Sequence, residues 1–226
     1  MTDQLTTTSY AVLVQVAVRP WSTYELAQQR VRYFRYVWPR AESAIYREAK
    51  RLASMGLIHG EKQYTGKRAR TVYSITDAGR QTLRDWLSTP VAPFSMDFEA
   101  MLRVFVAPLG TKEELVDTLH QVREDAHEML RFAGEVKQEF AEGINVTQDQ
   151  AHIRALAVDF FVSLLNTVHN WADRTLSEVE GWDDLSASEE KYQAGLEKIA
   201  NLPVETPGSL EGISRPPASQ VRRRNW

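Results

Sequence analysis

The sequence predicts a mainly α chain with a small β-hairpin wing, and three observations carry that expectation. At about 100° per residue, Ala41, Ile45, Ala49 and Leu52 share one arc of a helix, and Arg40, Ser43, Arg47, Lys50 and Ser54 share the opposite arc. Leu57-Ile58 and Val72, Tyr73 and Ile75 then read as two extended runs around the turn Tyr64-Thr65-Gly66-Lys67-Arg68-Ala69-Arg70, which carries three cations. Farther along, Leu115, Leu119, Val122, Ala126, Met129, Ala133, Val136 and Phe140 recur at alternating spacings of four and three, a heptad seam.

Composition bounds the rest. A chain of 226 residues with 43% hydrophobic content can bury one large core or two small ones. It has no cysteine, which excludes disulfides, thiolate metal sites and cysteine nucleophiles. No unbroken apolar run approaches the roughly 18 residues of a membrane span, and the first residues lack the basic and apolar regions of a secretory signal. The expected location is cytoplasmic. The net charge of −3 hides an asymmetry: residues 1–90 hold 14 Lys and Arg against 7 Asp and Glu, whereas residues 91–202 hold 9 against 21. A polyanion is attracted to the first part and repelled by the second, so nucleic-acid contact is expected only in the N-terminal third.

In chain order, Ser9 to Val18 is apolar nearly all round and reads as a short buried helix that Pro20 ends. Trp21-Ser22-Thr23 reads as a turn with Ser22 or Thr23 as N-cap, opening a second short helix from Tyr24 to Val31. Pro39 suits the first position of the third helix, which carries the cationic arc, and Gly56 suits its stop. Two short helices, a turn, a cationic helix and a basic hairpin are the order of a winged helix-turn-helix. Thr76 is placed to cap a fourth helix, Asp77 to Leu87, and Thr89-Pro90-Val91-Ala92-Pro93 marks a boundary.

Phe98, Met101, Leu102, Phe105 and Val106 form an amphipathic helix ending at Pro108. Thr111-Lys112-Glu113-Glu114 is a capping box that opens the heptad helix, and Thr147-Gln148-Asp149-Gln150 is a second possible one. The helix after it carries Ile153, Leu156, Phe160, Phe161, Leu164, Leu165, Val168 and Trp171, a stripe wider than a seam. Two antiparallel helices cannot bury both stripes against each other, so a homodimer is expected through residues 96–200, with Leu119, Met129, Phe160, Phe161, Leu164, Leu165, Val168 and Trp171 as contacts. Ser186 to Glu189 opens a last short helix to about Ala200. The expected organisation is a winged helix-turn-helix over 1–90, an antiparallel helical dimerisation domain over 91–202 and a disordered tail over 203–226, where Pro, Ser, Gly and Arg dominate.

The N-terminal part resembles the PadR family of winged-helix transcriptional regulators. Ile45-Tyr46, Leu52 and Gly56-Leu57-Ile58 are similar to the family's Leu-Tyr, Leu and Gly-Leu-Ile/Val stretch. Tyr73-Ser74-Ile75-Thr76-Asp77-Ala78-Gly79 is similar to its Tyr-x-Ile/Leu-Thr-x-x-Gly. Pro20, Ser22, Tyr24, Glu25 and Leu26 resemble its first turn, although Thr23 stands where glycine is usual, Arg47 replaces a common proline and Ala49 a common leucine. The match covers roughly residues 8–90; the acidic remainder resembles, in helix layout, the long C-terminal domain of larger members. The resemblance implies homodimers that bind palindromic operators, usually repress, and release DNA when a small, often aromatic, ligand binds.

By position on the third helix, Ser43, Tyr46 and Arg47 are the candidates for base-edge contact, flanked by Arg40 and Lys50. Lys67, Arg68 and Arg70 on the wing, and Ser9 and Tyr10 at the first helix, are candidates for phosphate. Trp171, Phe160 and His169 are candidates to line an effector cavity, against core or dimer packing. His120, Glu124 and His127 recur at i, i+4 and i+7, a conceivable zinc face that reads better as an exposed polar one. No cofactor or metal is expected. No nucleophile elbow, dinucleotide fingerprint or Walker loop is present, so an enzyme is not expected. The alternatives are a winged helix that binds protein and a MarR-like regulator.

Overall fold

A computed structural model describes residues 4–29, 42–65, 68–145 and 147–203. The elements in order are α1 (Thr7–Val18), β1 (Trp21–Ser22), α2 (Thr23–Gln29), α3 (Glu42–Ser54), β2 (Ile58–Thr65), β3 (Arg68–Ile75), α4 (Asp77–Leu87), α5 (Glu99–Val106), α6 (Lys112–Ala141), α7 (Ala151–Glu180) and α8 (Glu189–Ala200). The chain is mainly helical with one antiparallel sheet of order β1-β3-β2, as the periodicities predict. Its described residues form two compact units, one of residues up to Asp97 with Val136–Ala157, the other of Phe98–Glu135 with residues from Val158 onward. Pro39 and Arg40, the expected helical residues Arg30 and Val31, and the tail from residue 204 lie outside the described residues.

In the first unit, α1 supplies Val12, Leu13 and Val16 to a core closed by Trp21, Leu26, Ile45, Ala49, Leu52, Ile58 and Tyr73. The three described members of the apolar arc on α3 are all buried there. Gly56 ends α3 at φ +72°, and the Leu57 amide reaches back to the Leu52 carbonyl at 3.0 Å, a glycine-terminated cap. Thr76 accepts the Gly79 amide at 3.1 Å and donates its hydroxyl to the Gly56 and Leu57 carbonyls at 2.7 and 2.9 Å. One side chain thus caps α4 and ties it to the end of α3.

Three local readings change. Trp21-Ser22 is a strand, not a turn: Trp21 pairs with Tyr73 and Ser22 with Val72. Such a two-residue strand has no period to read, and its partner lies some fifty residues on. The wing strands also run farther than the sequence suggests, with Tyr64 opposite Ala69 and Thr65 opposite Arg68. Thr147 makes no side-chain cap on the short 3₁₀ turn Gln148–Gln150. Its amide and hydroxyl instead donate to the buried Asn145 side-chain oxygen at 3.0 and 2.8 Å, so Asn145 organises that connection.

In the second unit, the expected capping box at α6 is present: the Thr111 amide donates to Glu114 at 2.9 Å and the Glu114 amide to Thr111 at 3.2 Å. Leu115 and Leu119 of the seam close against Leu176 and Val179 of α7. Val122 and Ala126 are buried as well, as is Val136 farther along α6 in the first unit. Lys112 donates to the carbonyls of Glu180 and Trp182, satisfying acceptors at the end of α7. Ser188 caps α8. The stretch Gln148–Glu180 is, on average, long and apolar enough to cross a membrane by length and composition. The stretch holds no unbroken apolar run of that length, because Asp159 and Asn166 interrupt it.

Candidate nucleic-acid interface

The exposed side of α3 follows from what its other side must do. With Ile45, Ala49 and Leu52 committed to the core, Ser43, Arg47, Lys50 and Ser54 face solvent. Tyr46, at the edge of that arc, is half-buried. Glu48 and Arg51 lie between the arcs. The Glu48 carboxylate accepts from Ser9 Oγ at 2.5 Å and from Arg51 Nη1 at 2.7 Å, and Arg51 Nη2 donates to the Gln4 carbonyl at 3.2 Å. This network holds the start of α1 against α3.

That bracing corrects one candidate. Ser9 is fully buried and its hydroxyl is committed to Glu48 and to the Thr6 cap, so its side chain offers nothing to a phosphate. Tyr10 is partly buried and stacks on Trp86, centroids 4.5 Å apart and planes 12° from parallel. Spacing alone hides this, because the partner of Ser9 lies 39 residues away.

The wing carries Arg70 exposed on β3, its register partner Gln63 half-buried. The backbone of Arg68 lies in β3, while Lys67 and Arg40 fall outside the described residues. Two exposed tyrosines were missed by the sequence reading: Tyr24 on α2 and Tyr64 near the end of β2, 66% and 71% exposed. The signal was available for Tyr64, since an aromatic residue two positions before the turn is too far from the core to be covered by it. The α2 cap is Ser22: its amide donates to Glu25 at 2.7 Å and its hydroxyl accepts the Glu25 amide at 3.2 Å. Burial raises the Glu25 pKa, but the Ser22 hydroxyl and amide and the Arg19 cation outweigh it and the net shift is downward.

Residues 12–85 match the Transcriptional regulator PadR-like family. The winged helix is a PadR-family domain. A probable transcriptional regulator of Mycobacterium tuberculosis is 29% identical over 85 residues, 37% of this chain and 45% of that protein. The negative transcriptional regulator PadR of Bacillus subtilis is 29% identical over 111 residues, 48% of this chain and 60% of that protein. The chain therefore spans about half the length of the curated relatives it matches. The crystal structure of Bacillus subtilis PadR in complex with operator DNA has a TM-score of 0.64 at 21% identity, covering 78% of this chain and 99% of that one. The same protein with p-coumaric acid gives 0.55 at 19%, covering 79% and 100%. At such identities the structures show a shared fold, and that fold extends beyond the PadR-family domain into the helical region.

The candidate dimer residues divide. Ile153, Leu156 and Phe160 along α7 are 54%, 70% and 49% exposed. Phe161, Leu164, Val168 and Met129 are partly buried. Leu119 and Leu165 are buried within one subunit and cannot also contact another, a correction to their assignment. The effector trio does not converge. Phe160 and Trp171 share a face of α7 but lie about three turns, roughly 16 Å, apart, and His169 is on the opposite side. Trp171 packs edge-on to Phe98 at 6.2 Å, and His169 faces His127 of α6 at 6.1 Å. An open cleft of about 490 Å³ lies elsewhere, between Pro108–Glu113 and Asp183–Ala187. On the face that carries His120, Glu124 and His127, His120 Nδ1 lies 3.0 Å from Arg123 Nη2, and no group of three or more side chains able to hold a metal ion forms among the described residues.

Proposed function

We propose that this chain is a sequence-specific DNA-binding transcriptional regulator that acts as a homodimer, a repressor released from a palindromic operator by a small aromatic ligand. The observation that carries DNA binding is α3, whose apolar arc is spent on the core while Ser43, Arg47 and Lys50 stay exposed beside a hairpin bearing Arg70. That is how a recognition helix and its wing meet a duplex. The PadR-family domain and the fold shared with a relative crystallised on operator DNA support it. Arg47 and Tyr46 meet base edges, with Arg40 and Lys50 beside them; Arg70, Arg68 and Lys67 meet the backbone, and Tyr24 and Tyr64 add hydroxyls within reach of phosphate. Ligand release is carried over from the relative crystallised with p-coumaric acid. The exposed apolar residues of α7 belong, in this proposal, against a second copy in the cytoplasm and not in a membrane.

Anisotropy with labelled duplexes tiling the region upstream of the chain's own gene tests this. Arg47→Ala weakens the preferred duplex by about 1–3 kcal/mol and flattens the preference, whereas Lys50→Ala weakens all duplexes alike and lowers the salt slope by about one. Binding that is unaltered in both variants, or absent at low salt in the unmodified protein, would refute the assignment.

A further inference from the structure

The first turn of α2 carries Thr23 where glycine is usual in the PadR pattern, and the hydroxyl this adds is bonded to the sheet. Thr23 is half-buried, and its Oγ1 donates to the Thr71 carbonyl of β3 at 3.4 Å. The Tyr73 hydroxyl, two residues farther along β3, hydrogen-bonds the same Thr23 side chain. Because the Thr23 proton is given to Thr71, Tyr73 donates and Thr23 accepts. Tyr73 is only 5% exposed. Its ring has room because its register partner on β2 is Gly60: a Cβ built there would stand 2.8 Å from Tyr73 Cε1 and 3.2 Å from Cδ1. On the other side Tyr73 pairs with Trp21 of β1. One buried side chain thus joins the base of both wing strands to the start of α2.

A two-stranded ribbon is marginal by itself, so its direction is set by what grips its base. α2 packs against α3 as well as against the sheet, which makes it the frame to which both DNA-facing elements are referred. Side chains on the wing and on α3 reinforce one another on a duplex only when the two elements are held in advance at the spacing the duplex requires. We propose that Thr23 and Tyr73 are positioning residues for DNA binding, their paired hydroxyls fixing the wing against α2 so that Arg70 and its neighbours meet phosphate while α3 lies in the groove. This rests on the DNA-binding reading above. Neither side chain touches DNA. The preference among sequences belongs to α3 and is left alone; what the pair governs is the number of phosphates the wing reaches.

The test is anisotropy of the full chain on the same labelled upstream duplexes, between about 50 and 200 mM salt. Thr23→Val keeps the shape and removes one hydroxyl; Tyr73→Phe removes the other. Each is expected to weaken all duplexes alike by about tenfold or more and to lower the salt slope by about two, one phosphate at each wing of a dimer, with the order of preference among duplexes kept. Thr23→Ser, which keeps the hydroxyl, retains affinity and slope. The double variant Thr23→Val with Tyr73→Phe loses no more than either alone, because the two act as one pair. A variant that is merely less folded has a smaller active fraction at an unchanged slope, so weaker binding at the unmodified slope overturns the proposal. Unmodified binding in Thr23→Val, a loss in Thr23→Ser equal to that in Thr23→Val, or additive losses in the double variant overturn it as well. If the unmodified protein binds no duplex, the DNA-binding reading falls and takes the positioning role with it; if it binds and Thr23→Val binds equally, only the positioning role falls.

Discussion

Gly79 shows how a single residue joins two elements. A Cβ built there would stand 2.1 Å from the Leu57 carbonyl oxygen and 2.9 Å from the Ile75 side chain. The obstacle is backbone, so the clash cannot be relieved by a rotamer change. It exists because Thr76 draws the start of α4 onto the end of α3. Gly79→Ala is expected to destabilise by about 1–3 kcal/mol, the usual cost of overpacking, or more where backbone must yield. Urea unfolding measures it, and a midpoint within error of the unmodified protein would show that the helices can part freely. Arg47, by contrast, is legible by position alone: its side of α3 is fixed once Ile45 and Ala49 face inward. Ser9 was not legible in that way. A serine at a helix start reads as a surface hydroxyl until the carboxylate of Glu48 is seen beside it.

At the scale of elements, the caps are mostly local and the sequence reads them well. The Ser22–Glu25 box is one of these, and it makes a pH prediction. The folded pKa of Glu25 is lowered, so its contribution is fully present above the unfolded value of 4.5 and is lost as pH falls through the folded value. Between pH 7 and pH 3 the unmodified protein should therefore lose more stability than Glu25→Gln, the two converging at the acid end. Parallel curves would remove the carboxylate from the account. The heptad seam on α6 is equally legible, because a repeat over many turns leaves little ambiguity. The Thr147 box failed because its residues fit the spacing while Asn145, buried two positions earlier, already satisfies Thr147.

Across the whole molecule, charge and apolar surface divide the work. The cationic excess lies before residue 90 and the acidic excess after it, so the proposed DNA contact belongs to the winged helix, where a polyanion is attracted and not repelled. The acidic part leaves Leu156 and Phe160 of α7 largely uncovered within one subunit, more apolar exposure than an isolated surface helix carries. Leu156→Glu and Phe160→Glu are expected to shift sedimentation from twice the subunit mass to one. Because a dimer reads two half-sites at once, DNA affinity should fall with it. A variant that remains dimeric would move the interface off this face of α7.

The sequence by itself determined the helices, the hairpin, the acidic and basic halves and the face of α3 left exposed. Each of these depends on residues within a few turns of one another, and periodicity and composition record such relations directly. Only the tertiary structure decided that Ser9 is a core group, that Trp21-Ser22 joins the sheet, that Leu119 is consumed within its own subunit, and that His127 meets His169. These are contacts between segments tens of residues apart, set by helix register and packing distance, and no local pattern in the chain encodes which of the many possible partners will be brought to hand.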